Sequence, residues 1–261
     1  EFAWAQLEPN EGQYTFEWLD RAVAGAAAEG LKVILCTSTA TPPVWLVRKH
    51  PEIGILLEDH TRMAHGARQH PSYSNAFYRS YSLKMIEKLA QRYGQNPHVM
   101  GWQLDNEPKV SSDFNAEAQE RFRVWVKKKY QTIEAVNKAW GTSFWGQVYS
   151  DFSQIEIPRA SQLFMNNHQV LDHKRFTAEE TASFLDEQAE TIRRNVSPKQ
   201  WITTNYIPAY EDGHLRQSPK LDFHSYTRYM VYGGNFGLGR KGYRVGPVER
   251  IALANDFFRP I

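Results

Sequence analysis

The stretch VMGWQLDNEP, residues 99–108, changes abruptly from apolar to polar residues. Its first six residues are typical of a strand that is buried on both faces in a parallel sheet. Asp105, Asn106 and Glu107 follow, and Pro108 has no N–H to donate to a sheet. In parallel α/β folds, the loops after the strand ends carry ligand-binding groups. The stretch therefore predicts a strand that presents Glu107 as a candidate acid or base. The alternative is that Asn106 and Glu107 only cap a turn.

Helix and strand patterns alternate on both sides of this stretch. Short apolar runs predict strands at residues 31–37, 99–104, 201–206 and 221–226, with a possible strand end at 1–4. Apolar spacing and caps predict helices that end at Gly30, that cover 75–93 and 116–130, and that begin at Thr177 and Pro247. The alternation indicates an α/β domain with a parallel sheet, although five strands do not close a (β/α)₈ barrel.

Composition excludes several classes of protein. The chain has 261 residues and a formal net charge of +2, with no run of five like charges, which argues against a nucleic-acid partner. Cys36 is the single cysteine, so neither an internal disulfide nor a thiolate metal cluster can form. No apolar run is long enough to cross a membrane. We expect a cytoplasmic protein, although a chain that opens at Glu1 does not reveal its true N-terminus.

The pair Asn106 and Glu107 suits the hydrolysis of glycosidic bonds. An acid that protonates the leaving oxygen needs a raised pKa, and burial and the like charge of Asp105 are expected to raise it. The neighbouring amide can hydrogen-bond the sugar 2-hydroxyl, and that bond strengthens in the transition state. Aromatic residues that could stack on sugar rings occur in or beside strand ends and loops: Trp45, Trp102, Trp140, Trp145, Tyr206 and Tyr226. For Trp102 and Trp140, packing in the core is the stronger expectation.

Two other motifs are weaker evidence for a binding site. Residues 237–242 match the dinucleotide pattern G-x-G-x-x-G, but no strand leads into them, so we interpret them as a loop. His60, His65 and His70 recur at intervals of five, which places them on no common face, so we interpret them as solvated loop residues. We therefore predict neither a metal nor a cofactor.

Several motifs together resemble glycoside hydrolase family 42, the retaining β-galactosidases. They are FAW at 2–4, LEP at 7–9, TATPPVWL at 39–46, ARQH at 67–70, GWQLDNEP at 101–108 and WGTSFW at 140–145. The resemblance covers the whole chain. It implies a TIM-barrel catalytic domain that cleaves terminal β-linked galactose by double displacement, and, by family analogy, a homotrimer.

The resemblance also implies roles for five residues. Glu107 is the general acid/base, and Asn106 holds the galactose 2-hydroxyl. Arg68 anchors the sugar and orients the catalytic groups, although its spacing alone favours a surface cation in a loop. Trp145 belongs to the wall that faces the sugar, and Tyr226 lies there too, at the end of the sixth barrel strand.

The chain departs from the family pattern in two ways. It represents barrel strands two to six, as a single partial TIM-barrel domain over residues 1–261, and no glutamate after Glu107 matches the family's nucleophile motif. The isolated chain is therefore expected to be inactive. Thr227 stands where many relatives have aspartate. Two alternatives stay open: a related barrel β-glycosidase or endo-glycanase, and a catalytically silent barrel that binds sugars.

Overall fold

The computed structural model describes residues 2–108, 111–162, 164–206 and 218–227 with their side chains, and the backbone of 231–233 and 243–245. Its α-helices in this part of the chain are α1 (Trp4–Leu7), α2 (Glu17–Ala28), α3 (Val44–Lys49), α4 (Ala76–Tyr93), α5 (Ala116–Tyr130), α6 (Ile133–Trp140) and α7 (Asn167–Arg193). Its strands are β1 (Val33–Cys36), β2 (Val99–Gln103), β3 (Trp201–Thr203), β4 (Asn205–Tyr206), β5 (Ser225–Tyr226), β6 (Val231–Gly233) and β7 (Tyr243–Val245).

The parallel strands follow one another in chain order. Strands β1, β2 and β3 form one sheet, in which Trp102 pairs with Leu35 on one side and Ile202 on the other. Strand β4 pairs in parallel with β5, and β6 pairs with β7 in an antiparallel hairpin. The predicted parallel α/β architecture is confirmed, and within the residues described the sheet stays open rather than closing into a barrel.

Three predicted strands differ from the sequence pattern. In the run 31–37, β1 covers only residues 33–36. The run 201–206 divides at Thr204, because β3 pairs with β2 whereas β4 pairs with β5. In the run 221–226, only Ser225 and Tyr226 form a strand. After this division, the start of β4 lies beside the turn that follows β2, where the polar residues lie.

Local signals correctly predict three of the helices, α2, α4 and α5. Asn75 caps α4, with its side chain accepting a hydrogen bond from the N–H of Tyr78, and α4 ends before Gly94 as predicted. Helix α5 has the predicted bounds. Helix α2 ends shortly before Gly30, whose φ of +71° is a conformation that favours glycine.

Two predictions are wrong, one about a strand end and one about a helix start. Trp4 begins the helical turn α1 rather than ending a strand, and its indole N–H donates to Glu8 at 2.9 Å. Helix α7 begins at Asn167, ten residues before Thr177, because Asn166 supplies the N-cap. The Thr177 hydroxyl donates instead to the Lys174 carbonyl inside the helix. The predicted helix at Pro247 and the loop at 237–242 lie outside the described residues.

The core consists of two hydrophobic clusters. The larger one packs the sheet against α4 and α7 around Trp102, and the smaller one packs α5 and α6 around Phe122 and Trp140. Trp102 and Trp140 are therefore core residues, as expected. No helix in the described part of the chain is long and apolar enough to cross a membrane.

Candidate active site

The chain turns sharply where β2 ends. Asp105 and Glu107 have φ values of +50° and +49°, in a region that side-chain-bearing residues occupy at a cost of roughly 1–3 kcal/mol each. Asp105, Asn106 and Glu107 are nonetheless all buried. Such a backbone persists only where its surroundings hold it, so its hydrogen bonds identify what the fold maintains here.

Neighbouring strands hold the first half of this turn. The Asp105 N–H donates to the Thr37 hydroxyl, which follows β1, at 2.8 Å. The Leu104 carbonyl accepts a bond from the Thr204 hydroxyl at 2.7 Å. The Asp105 carboxylate accepts the Asn106 N–H at 2.7 Å and the Tyr73 hydroxyl at 3.0 Å. The turn is therefore anchored to the strands on both sides of β2.

Asp105 titrates differently from an exposed carboxyl. Its side chain is fully buried, and burial raises its pKa from the usual value to about 6. The bonds from Asn106 and Tyr73 act in the opposite direction, because they favour the charged form, but burial dominates. Asp105 thus stands directly before the candidate acid without facing solvent.

The Glu107 carboxylate forms an ion pair. Its Oε2 lies 2.8 Å from Nη1 of Arg68, and only 2% of Glu107 is exposed, whereas the Arg68 side chain is 44% exposed. The guanidinium therefore joins a buried carboxylate to the protein surface. The spacing of Arg68 alone favours a surface cation. The structure instead pairs it with Glu107, so Arg68 is not a lone surface cation.

The residues beside Arg68 fix its segment in place. Gln69 donates its side-chain N–H to the carbonyls of Asn106 at 3.0 Å and Glu107 at 2.5 Å. His70 is buried, and its Nδ1 lies 2.7 Å from the Ala67 carbonyl oxygen. Burial lowers the pKa of His70. The interpretation of His70 as a solvated loop residue is therefore wrong, because its ring closes the turn that carries Arg68.

Asn205, at the start of β4, binds the second half of the turn. Its Oδ1 accepts the N–H of Glu107 at 2.9 Å. Its Nδ2 donates to Oδ1 of Asn106 at 3.1 Å and to the Thr227 hydroxyl at 3.0 Å. Sequence reasoning missed both Asn205 and Gln69. Gln69 belongs to the ARQH motif at residues 67–70, but the motif alone gives it no role. Nothing in the local pattern distinguishes Asn205.

Trp145 and Tyr226 occupy different surroundings. Trp145 lies in a 3-10 turn (Phe144–Gly146), is 66% exposed, and contacts the rings of Phe144 and Phe164 at centroid distances of 4.6 and 4.7 Å. Tyr226 ends β5, packs against the larger core and pairs with Tyr206. Tyr226 thus shares the strand-end edge of Asn205, and Trp145 belongs to a separate exposed aromatic group.

Within the described ranges, no group of three or more His, Cys, Asp or Glu side chains could hold a metal ion. The polar groups gathered at the end of β2 are instead one carboxylate with a guanidinium, an amide and a second, buried carboxyl. This set can donate and accept a proton and can hydrogen-bond hydroxyl groups.

Comparison with known proteins assigns the family. The model for glycoside hydrolase family 42, described as Beta-galactosidase, matches residues 1–261. The chain belongs to glycoside hydrolase family 42. A beta-galactosidase from Thermus thermophilus is 40% identical to this family 42 chain over 235 residues, which are 88% of the chain and 36% of that relative.

Solved structures of family members agree. The beta-galactosidase from Bacillus circulans sp. alkalophilus superposes with a TM-score of 0.86 at 26% identity, covering 99% of this chain and 37% of that one. The beta-galactosidase from the psychrophilic Marinomonas ef1 superposes with a TM-score of 0.81 at 34% identity, covering 88% of this chain and 36% of that one. The predicted family is confirmed, and this family 42 chain spans about a third of the length of the relatives it matches.

Proposed function

We propose that this chain forms part of the catalytic domain of a retaining β-galactosidase, with Glu107 as its general acid/base. The observation that carries the proposal is the buried Glu107 carboxylate, held at the end of β2 by the 2.8 Å contact with Arg68. In a chain of this family, the position supports the proposal, because a carboxyl group held at the end of a strand can reach the oxygen of the bond that breaks. The substrate is a terminal β-linked galactoside.

The first step breaks the glycosidic bond. Glu107 delivers its proton to the departing oxygen as a second carboxylate attacks the anomeric carbon, and a covalent galactosyl intermediate forms. In the second step, Glu107 takes a proton from water, which attacks the same carbon and releases galactose with retained configuration. Asn106 hydrogen-bonds the sugar 2-hydroxyl, and Arg68 orients Glu107 and anchors the sugar.

The nucleophile is the part of this mechanism that we do not assign. A retaining enzyme needs a second carboxylate at about 5 Å from the acid. No glutamate after Glu107 in this chain matches the family's nucleophile motif. We therefore propose that the 261-residue chain alone has little or no activity, and that the full-length protein in which it occurs, here called the parent protein, is active.

The test is an assay of the parent protein and of the isolated chain on 4-nitrophenyl β-galactoside. We expect hydrolysis by the parent protein, β-galactose as the first product by NMR, and at least about a thousandfold less activity for the isolated chain. α-Galactose as the first product would contradict the retaining mechanism. Full turnover by the isolated chain would show that a nucleophile lies within it.

Assays of the parent protein on glucans and xylans, together with a measurement of galactose binding, separate the two alternatives. A related endo-glycanase would cleave glucans or xylans better than galactosides, and a silent barrel would bind galactose without hydrolysing any of them. The homotrimer, the single domain and the cytoplasmic location stay predictions. Light scattering of the parent protein would test the homotrimer.

A further inference from the structure

We infer that Asn205 is a positioning residue, which sets the direction in which the Asn106 amide faces and thereby the contact with the sugar 2-hydroxyl. The inference rests on the proposed function and goes beyond it, because it assigns specificity for that hydroxyl to a residue on β4. Asn205 lies 98 positions from Glu107 in the chain, and β4 brings the two together.

The direction of the hydrogen bonds starts from a backbone group that can only donate. The N–H of Glu107 points at Asn205, so the atom of Asn205 that receives it must be the oxygen. The amide nitrogen of Asn205 then faces Asn106 and Thr227, and it donates one hydrogen to each. All three bonds are 2.9–3.1 Å long, so the orientation of Asn205 is fully specified.

This orientation fixes the next amide in turn. Because Asn205 donates, the group of Asn106 that faces it must be its oxygen. The amide nitrogen of Asn106 therefore points away from Asn205. Asn106 cannot rotate by 180° without setting one N–H group against another, so it presents a donor rather than an acceptor. A donor stabilises the sugar 2-hydroxyl oxygen as the transition state forms.

Gln69 secures the other side of the same turn. It donates to the carbonyls of Asn106 and Glu107, so the backbone is held even without Asn205. Removal of the Asn205 side chain should therefore affect the direction of the Asn106 amide more than the position of Glu107. We therefore expect a loss of kcat/KM that depends on the presence of the 2-hydroxyl. A general destabilisation of the sheet would lower kcat/KM for all substrates alike.

The experiment compares two substrates in the parent protein: 4-nitrophenyl β-galactoside and its 2-deoxy analogue. For Asn205→Ala we expect kcat/KM on the galactoside to fall about a hundredfold and on the 2-deoxy analogue by no more than about fivefold, because only the first offers the 2-hydroxyl. We define the preference as the ratio of kcat/KM for the galactoside to kcat/KM for the 2-deoxy analogue. This preference should therefore fall by at least about tenfold.

A second variant covers a failure of Asn205→Ala to fold. Asn205→Asp has the same shape and keeps the acceptor for Glu107, but it loses both donors, so the Asn106 amide should rotate. We again expect a preference that is at least about tenfold lower. The matched control is Thr203→Val. Thr203 lies on β3 two residues earlier, its hydroxyl donates to the Phe223 carbonyl at 2.8 Å, and its removal should leave the preference unchanged.

The outcomes separate this inference from the proposed function. A reduced preference in both Asn205 variants, with Thr203→Val like wild type, supports the inference. Equal losses on both substrates would overturn it, because the side chain would then act only on structure. If the wild-type parent protein hydrolyses neither substrate, the proposed function falls and takes this inference with it.

Discussion

Glu107 and Trp145 both have a positive φ angle, but they lie in opposite surroundings. Their φ values are +49° and +50°, yet Glu107 is 2% exposed and Trp145 is 66% exposed. Hydrogen bonds from Gln69, an acceptor on Asn205 and an ion pair with Arg68 hold Glu107. Trp145 touches aromatic rings that are themselves exposed.

The difference is between a side chain that several polar contacts hold in place and one that only exposed rings contact. A group that transfers protons must be held within a fraction of an ångström, and the turn at Glu107 is tied to β1, β4 and the Arg68 segment. The family resemblance implies that Trp145 belongs to a wall that faces the sugar, and stacking on a sugar tolerates more movement than proton transfer does. We therefore expect changes at the turn to affect the chemistry, and changes at Trp145 to affect the binding of substrate.

The largest effect is expected for Glu107→Ala in the parent protein. Without an acid, kcat/KM for lactose should fall about a thousandfold or more, because its leaving group needs protonation. For 2,4-dinitrophenyl β-galactoside, whose leaving group needs no proton, cleavage of the bond should stay fast and appear as a burst. Stopped-flow absorbance measures both phases. Equal losses in bond cleavage for the two substrates would contradict the assignment of Glu107.

The second effect concerns stability and pH. The pKa of Asp105 is raised to about 6 in the folded protein from its usual value of 3.8, so the folded state favours the protonated form. The free energy of unfolding of wild type, compared with that of Asp105→Asn, is greatest at or below pH 4. This difference falls by on the order of 3 kcal/mol as the pH rises to about 6. Urea unfolding at a series of pH values measures the difference.

A matched control should give the opposite sign. Asp59 is an exposed loop residue whose pKa is lowered by hydrogen bonds from Thr61. Asp59→Asn should therefore lose stability relative to wild type as the pH rises through the range in which this carboxyl ionises. If the Asp105→Asn difference did not change between pH 4 and 6, burial would not control the titration of Asp105.

The third effect concerns Arg68. Arg68→Ala removes the partner of a buried carboxylate, and kcat/KM for galactosides should fall about thirtyfold. Arg68→Lys should restore part of the loss, because it keeps the charge without the planar fork. Steady-state kinetics on 4-nitrophenyl β-galactoside measures this, with Arg48→Ala, at an exposed position on α3, as the control. Equal behaviour of the Arg68 and Arg48 variants would return Arg68 to the role of a surface cation.

The smallest effect is expected for Trp145→Ala. The side chain is exposed, so unfolding free energy should change by no more than about 0.5 kcal/mol. KM for galactosides should rise about tenfold at nearly constant kcat. In Trp145→Phe, KM should stay close to the wild-type value. Thermal unfolding and kinetics together measure this. A large loss of stability would make Trp145 a structural residue, and an unchanged KM would remove it from the sugar wall.

Local patterns predict the elements that a single segment determines. The apolar spacing of α4 and α5, and the apolar run of β2, gave bounds within a residue or two of those observed. The start of α7 was missed because residues 167–176 are largely polar, and the cap at Asn166 precedes no clear apolar stripe. The family motifs pointed to Glu107, Asn106 and Arg68 together.

The contacts that build the site could not be predicted in the same way. The pairing of Arg68 with Glu107 depends on how a long loop folds back across β2. The contacts of Asn205 depend on Thr204, where the chain passes from pairing with β2 to pairing with β5. Such contacts join residues far apart in the chain, and no local period encodes them.

Chemical rescue of Glu107→Ala by azide tests the central claim most directly. Azide is small enough to enter the space left by the carboxylate and needs no base, so it should attack the galactosyl intermediate and restore turnover of the dinitrophenyl galactoside. NMR of the product should show β-galactosyl azide, the outcome for a missing acid/base. α-Galactosyl azide would identify Glu107 as the nucleophile instead, and an absence of any rescue with an intact fold would contradict a catalytic role for Glu107.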